Sequence, residues 1–150
     1  MVEVGSKAPA FSLKDSSGKV HKLADYKGKK LVVYFYPKDD TPGCTIEAKD
    51  FTALLPEIRK AGADVVGISK DSEQSHCDFE EKYKLKVTLL ADPDNKTIKA
   101  YDAYGDKGIF GMGTIRKTYI IDESGKILKV YPRVQAIGHA KAVLEEIRGV

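Results

Sequence analysis

The residues best suited to chemistry are Cys44 and the side chains just ahead of it, in the run Pro37-Lys38-Asp39-Asp40-Thr41-Pro42-Gly43-Cys44. Upstream, Leu31-Val32-Val33-Tyr34-Phe35-Tyr36 is a continuous β-branched and aromatic stretch, the pattern of a strand buried on both faces. Downstream, Phe51, Leu54, Leu55 and Ile58 recur at i, i+3, i+4 and i+7, which predicts a helix from Pro42 to about Lys60, stopped by Gly62. Cys44 therefore falls in the first turn of a helix at the carboxyl end of a buried strand, where open α/β sheets place their sites. A thiol there meets unpaired backbone N–H groups and the positive end of the helix dipole, and both favour the thiolate. Thr41 adds a hydroxyl three residues before the sulfur. Pro42 pre-sets the first-turn backbone, and Gly43 lets a small substrate approach the main chain. On these grounds alone a second reading stays open, in which Cys44 simply packs as a small hydrophobe.

Composition bounds what can carry this site. The chain has 150 residues, 42% hydrophobic and 31% charged, which suits one globular domain over 1–150 with its own core. A net charge of +3, from 25 basic and 22 acidic residues scattered along the chain, disfavours nucleic-acid binding. No apolar run approaches the roughly 20 residues of a membrane helix, and the N-terminus has no secretory signal, so a cytoplasmic location without membrane contact is expected. In a reducing cytosol Cys44 and Cys77 are small hydrophobes or chemistry rather than a structural staple.

Ala10 to Leu13 and Val20 to Leu23, around Ser16-Ser17-Gly18, read as an N-terminal β-hairpin. Ala63 to Ser69 and Val87 to Ala91 read as strands. Helices are predicted from Asp71 or Ser72 to about Tyr83, from Lys96 to Tyr101, and from near Gly138 onward. Lys117 to Ile121 and Ile127 to Tyr131 form a late hairpin, and Pro56 predicts a kink or local break inside the helix after Cys44. The order predicts an α/β protein with a thioredoxin-like fold: a mixed central sheet, helices on both faces and an N-terminal β-hairpin.

Pro37-x-x-x-Thr41-x-x-Cys44 resembles the active-site signature of the peroxiredoxins, and Phe35 through Glu47 is similar to their bacterioferritin-comigratory-protein, or peroxiredoxin Q, branch. The likeness spans nearly the whole chain, through Gly5 to Leu13, Val65 to Ser69, Leu90-Ala91-Asp92 and Arg116 to Asp122. It implies a thiol-dependent peroxidase for hydrogen peroxide and organic hydroperoxides, in which the Cys44 thiolate attacks a peroxide oxygen and becomes a sulfenic acid. Thr41 and the N–H groups near Gly43 and Cys44 would hold the peroxide and stabilise charge on its leaving oxygen, while Pro37 shields the sulfur from water. The thiolate needs a cation; the chain offers Arg59, Arg116, Arg133 and Arg148, and the resemblance selects Arg116. It also implies that Glu47 orients the arginine and threonine. Without the resemblance, Glu47 reads equally well as a solvated first-turn acid that complements the helix dipole.

Many members of that branch carry a resolving cysteine five residues after the first, where this chain has Lys49. A subset places it on the next helix, where this chain has Cys77, which implies an intramolecular Cys44–Cys77 disulfide reduced by thioredoxin or a similar dithiol. At about 100° per residue Cys77 lies about 200° from Phe79, off the inward face marked by Phe79 and Tyr83, so its thiol is expected to point outward. A one-Cys peroxidase with Cys77 a bystander, and a redox sensor or holdase switched at Cys44, are the alternatives. A disulfide needs Cα atoms within roughly 7 Å. The first turn at Cys44 and the helix around Cys77 are therefore expected to unwind locally before the thiols meet, helped by Pro56 and the stretch Gly105 to Gly113. There is no C-x-x-C. His21, His76 and His139 read as surface residues and form no zinc set with the cysteines, so neither metal nor other cofactor is expected. Ile109-Phe110-Gly111-Met112-Gly113 lacks a phosphate loop's Lys-Ser/Thr and reads as a mobile or substrate-flanking loop. With no long unpaired apolar stripe, a monomer is expected.

Overall fold

The run Leu31 to Tyr36 is apolar at every position because both faces of its strand are covered. Val32, Tyr34 and Tyr36 face one core; Leu31, Val33 and Phe35 face a second core on the other side. The structure, a computed structural model, describes residues 2–149. In chain order the elements are β1 (Ser12–Asp15), β2 (Val20–Lys22), β3 (Lys30–Phe35), α1 (Pro42–Lys60), β4 (Ala63–Ser69), α2 (Glu73–Tyr83), β5 (Thr88–Ala91), α3 (Lys96–Ala100), β6 (Tyr104–Asp106), β7 (Met112–Thr114), β8 (Lys117–Ile121), β9 (Ile127–Tyr131) and α4 (His139–Arg148). Seven strands form one sheet in the order β2-β1-β5-β4-β3-β8-β9. The β3–β4 and β4–β5 pairs are parallel, and the pairs β1–β5, β3–β8 and β8–β9 are antiparallel.

Two parallel crossovers in the same direction across the sheet place α1 and α2 on one face. There Ala48, Phe51, Leu55 and Ile58 of α1, Phe79 of α2, and Ala140, Val143, Leu144 and Ile147 of α4 pack on Tyr34 and Val65. The other face is covered by Ala8, Phe11, Tyr26, Ile98 of α3 and Tyr101. The predicted class holds: a mixed sheet with helices on both faces and an N-terminal hairpin, whose strands begin at Ser12 and Val20. Both α1 and α2 start at the carboxyl ends of their parallel strands, so the Cys44 turn and the start of the Cys77 helix lie at the same end of the sheet. Among the described residues no helix is long and apolar enough to cross a membrane.

Two expectations are corrected here. The break at Pro56 does not occur, since α1 is one helix from Pro42 to Lys60. Pro56 lies on the exposed side, where water can serve the Thr52 carbonyl that loses its donor, while buried Phe51, Leu55 and Ile58 hold both halves in one core. The stretch Gly105 to Gly113 is not a plain loop: β6 and β7 pair there as a separate two-stranded sheet with a 3-10 turn, Gly108–Phe110, at its tip. Its glycines hide the strand signal, and a Cβ at Gly105 would stand 2.6 Å from Ile115 Cδ1, so the end of that side chain would have to shift.

Gly67 on β4 has the same kind of constraint from the main core. It pairs with Tyr34, whose ring stacks on Phe51 with centroids 4.7 Å apart, and a Cβ at Gly67 would lie 2.5 Å from Tyr34 Cζ. Gly67→Ala is expected to destabilise the fold by about 2 kcal/mol through overpacking. The measurement is a lower urea midpoint at unchanged slope; an unchanged midpoint would show that the Tyr34 ring can yield.

Candidate active site

Cys44 is the third residue of α1, buried against the sheet with Tyr34 and Phe51 in the same core. Thr41 is the N-cap residue, with extended backbone at φ −105° and ψ 155°, but its side chain caps nothing. Its hydroxyl instead donates to the Lys38 carbonyl at 2.8 Å. The first amide bonded back within the helix is Thr45, donating to the Thr41 carbonyl at 2.8 Å. The N–H groups of Gly43 and Cys44 precede that bond and lack a helical partner, so the turn presents donors beside the sulfur.

Arg116 lies between β7 and β8, where its carbonyl accepts from Val134 N at 3.0 Å. Its Nη2 donates to Cys44 Sγ at 3.3 Å, and its Nη1 donates to Glu47 Oε1 at 2.9 Å. Glu47 stands three residues after Cys44, hence on the same side of α1, and is fully buried. The solvated first-turn acid is therefore excluded. Gly43 serves a purpose different from the expected one: a Cβ there would stand 2.9 Å from Arg116 Nη2. Its missing side chain admits the guanidinium. Burial would lower Arg116, but the Cys44 and Glu47 partners outweigh it and hold the group above its ordinary value. Burial pushes Glu47 up to about 7 against the pull of Arg116. Glu47 Oε2 has no hydrogen-bond partner. The guanidinium thus supplies the positive charge a thiolate needs and can also face a negative oxygen beside it.

The other arginines are placed elsewhere. Arg59 faces Asp64 at 3.4 Å and Arg148 faces Glu57 at 3.3 Å. Arg133 lines a cleft of about 430 Å³ together with Pro37, Asp106, Phe110, Arg116 and Val134. Pro37 and Arg116 are the candidate residues in its wall, and the exposed rings and chains of Phe110, Ile109 and Met112 stand on the adjoining β6–β7 tip. Cys77 is part-exposed, as the helical angles required, and its Sγ lies 3.9 Å from Glu81 Oε1 on the outer side of α2. Desolvation first, then the carboxylates of Glu81, Asp78 and Glu80, push its thiol up. Both thiols are free.

The surface assignment of the histidines is wrong. His76 is fully buried, with Nδ1 2.7 Å from Asp39 Oδ2 and Nε2 3.1 Å from the Leu90 carbonyl. The signal was present, because His76 precedes Phe79 by three residues and so shares its inward face. His139 is buried on α4 with Nε2 2.9 Å from Thr118 Oγ1, and burial depresses it to about 4. His21 is half-buried against Asp15 and Tyr26. Among the described residues no group of three or more His, Cys, Asp or Glu side chains is placed to hold a metal ion.

A family model described as AhpC/TSA matches residues 4–130. The bcp protein of Helicobacter pylori is 50% identical over 149 residues, covering 97% of this chain and 98% of that one. Peroxiredoxin Bcp of Bacillus subtilis is 41% identical over 150 residues, covering 98% of this chain and 96% of that one. Among solved structures, a mutant of Xylella fastidiosa PrxQ superposes with a TM-score of 0.96 at 32% identity, over 99% of this chain and 97% of that one.

The buried Glu47 makes a linkage prediction. With its value near 7 in the folded protein and 4.5 for an ordinary glutamate, Glu47 holds between those values a proton that the unfolded chain has released. Stability therefore falls as pH rises between those values, by up to about 1.4 kcal/mol per pH unit. Glu47→Gln cannot ionise and removes that slope. Urea unfolding from about pH 5 to about pH 7 is expected to show wild type losing a few kcal/mol relative to the variant. Parallel curves would show that Arg116 keeps Glu47 ionised throughout.

Proposed function

The chain belongs to the AhpC/TSA family, among its Bcp and peroxiredoxin Q peroxiredoxins, and is a thiol-dependent peroxidase; from that premise we propose that Cys44 is the residue that attacks peroxide and Cys77 the one that resolves it. The observation that carries the reading is the Arg116 guanidinium bonded at once to the Cys44 sulfur and to buried Glu47. Glu47 fixes one nitrogen of the planar fork, which leaves the other directed at the sulfur. In the first step the Cys44 thiolate attacks one peroxide oxygen. A sulfur–oxygen bond forms, the oxygen–oxygen bond breaks, and the sulfur is oxidised to a sulfenic acid. The other oxygen leaves with a proton as water or an alcohol. Negative charge gathers on that oxygen, and Arg116 with the Gly43 and Cys44 amides is placed to receive it. The Thr41 hydroxyl has committed its hydrogen to Lys38, so its oxygen is left to accept the hydrogen of the peroxide. Pro37, beside Arg116 in the cleft wall, limits water at the sulfur.

In the second step Cys77 displaces hydroxide from the sulfenic acid, giving the Cys44–Cys77 disulfide and water, and a thioredoxin-like dithiol reduces it. Supporting this division of labour, desolvation and then its acidic neighbours push the Cys77 thiol up, which disfavours its thiolate and its competition with Cys44 for peroxide.

One equivalent of hydrogen peroxide added to reduced protein is expected to lower the intact mass by about two units, and Cys77→Ser is expected to abolish that loss. A gain of one or two oxygens on Cys44 in the wild type would instead make Cys77 a bystander. Replacing the guanidinium, in Arg116→Met, is expected to slow the reaction of Cys44 with peroxide by about 10²–10³-fold. A rate within a few-fold of wild type would remove Arg116 from the chemistry.

A further inference from the structure

One of the four arginines has no acid to meet. Arg116 is bonded to Glu47, Arg59 faces Asp64 and Arg148 faces Glu57, but among the described residues Arg133 takes part in no ion pair. The sheet sets its place. β8 and β9 pair antiparallel with Thr118 opposite Tyr131, and continuing that register puts Arg133 opposite Arg116. The bond from Val134 N to the Arg116 carbonyl, at 3.0 Å, holds the two segments together past the ends of the strands. Both arginines line the cleft of about 430 Å³. Like charges directly across an antiparallel pair destabilise it. Arg116 has Cys44 and Glu47 to offset its charge, and Arg133 has no such partner among the described residues.

The rest of the wall gives the occupant its chemistry. Lys107 adds a third cation, against the one carboxylate of Asp106, whose Oδ1 already accepts from Gly108 N at 2.8 Å. Pro37, Phe110 and Val134 supply apolar surface. Just outside, burial lowers the Lys117 ammonium, Asp102 opposes it, and the charge of Arg133 adds to the lowering, so the Arg133 field reaches the start of β8. At roughly 30 Å³ for each water-sized group, the cleft has room for about a dozen heavy atoms, far more than the two oxygens of hydrogen peroxide. A partly apolar cleft with excess positive charge, beside the reacting sulfur, suits an organic hydroperoxide that also carries an anion.

We infer that Arg133 is a specificity-determining residue that binds the carboxylate of anionic organic hydroperoxides while their oxygen–oxygen group lies at Cys44. This rests on Cys44 being the residue that attacks peroxide. The planar guanidinium of Arg133 can meet both carboxylate oxygens with parallel N–H donors. Arg116 cannot do the same, because its Nη1 and Nη2 are committed to Glu47 and Cys44. The chemistry at sulfur is unaltered. The sulfur–oxygen bond forms, the oxygen–oxygen bond breaks, the organic oxygen leaves with a proton as the alcohol, and the carboxylate is carried through unchanged. What Arg133 changes is which hydroperoxide the thiolate meets.

Cumene hydroperoxide bearing a para-carboxylate, and the methyl ester of the same compound, present one oxygen–oxygen group with and without the anion. The chain has no tryptophan, so oxidation of Cys44 is followed by rapid quench with a thiol-alkylating agent and intact mass. Dividing the rate constant for the acid by that for the ester cancels any change in the reactivity of Cys44 itself. That ratio is expected to fall about fivefold in Arg133→Gln, and by less in Arg133→Lys, which keeps the charge and loses the fork. An unchanged ratio in Arg133→Gln overturns the inference. Arg59→Gln removes the same charge near the far end of α1 and is expected to leave the ratio as it is. An equal fall there also overturns the inference, since net charge alone would then steer the anion. A wild type whose Cys44 is oxidised by hydrogen peroxide and by neither cumene compound overturns it and leaves Cys44 as the attacking residue. A wild type whose Cys44 is oxidised by no peroxide overturns the Cys44 reading and the inference together.

Discussion

A guanidinium held between a sulfur and a buried carboxylate sets most of what surrounds it. Arg116 is 72 residues from Cys44 and 69 from Glu47, so its arrival depends on sheet order rather than on local sequence. β8 runs antiparallel beside β3 with Phe35 opposite Lys117, which brings the start of β8 to the end of the strand that leads to Cys44. Gly43 then has to lack a side chain. Glu47 has to sit one turn along α1, where burial is tolerable only because the arginine is there. Removing any one of these leaves a buried charge without its partner.

The two thiols live in contrasting surroundings. Cys44 is locked in an apolar core with Tyr34 and Phe51. α2 packs Phe79 and Tyr83 on the core and adds polar contacts of Ser75, His76, Glu80, Lys82 and Tyr83 to the body. Hydrogen bonds to water can replace the polar contacts, whereas apolar burial has no substitute. The unpartnered oxygens of Glu47 and Tyr34, both buried, lie in the rigid half. Unsatisfied polar groups of this kind are a cost that native proteins tend to carry at functional sites.

Patterns confined to neighbouring residues were read well. The limits of β4 and of α1 follow from an apolar, β-branched run, helical spacing and the Gly62 stop, and Ser72 caps α2 through its bond from Ser75 N. Pro56 misled because its effect depends on which side of the helix faces water. The glycines of β6 and β7 misled because glycine carries no strand pattern of its own, and only the pairing of the two segments makes them strands. His76 misled because a polar residue on an inward face is legible only if its buried partner, Asp39, is known to be there.

The sequence by itself determined the candidate nucleophile and its frame: a buried strand, a short loop and a helix start place Cys44, and a second thiol stands on the outer face of the next helix. These are consequences of backbone periodicity, which acts over a few residues. Only the tertiary structure decided which arginine meets the sulfur, that Glu47 is buried rather than solvated, why position 43 must be glycine, and that Asp39 and Asp40 bind α2. Each of those rests on desolvation and charge pairing between segments far apart in the chain, and such energies have no value until the sheet order brings the segments together.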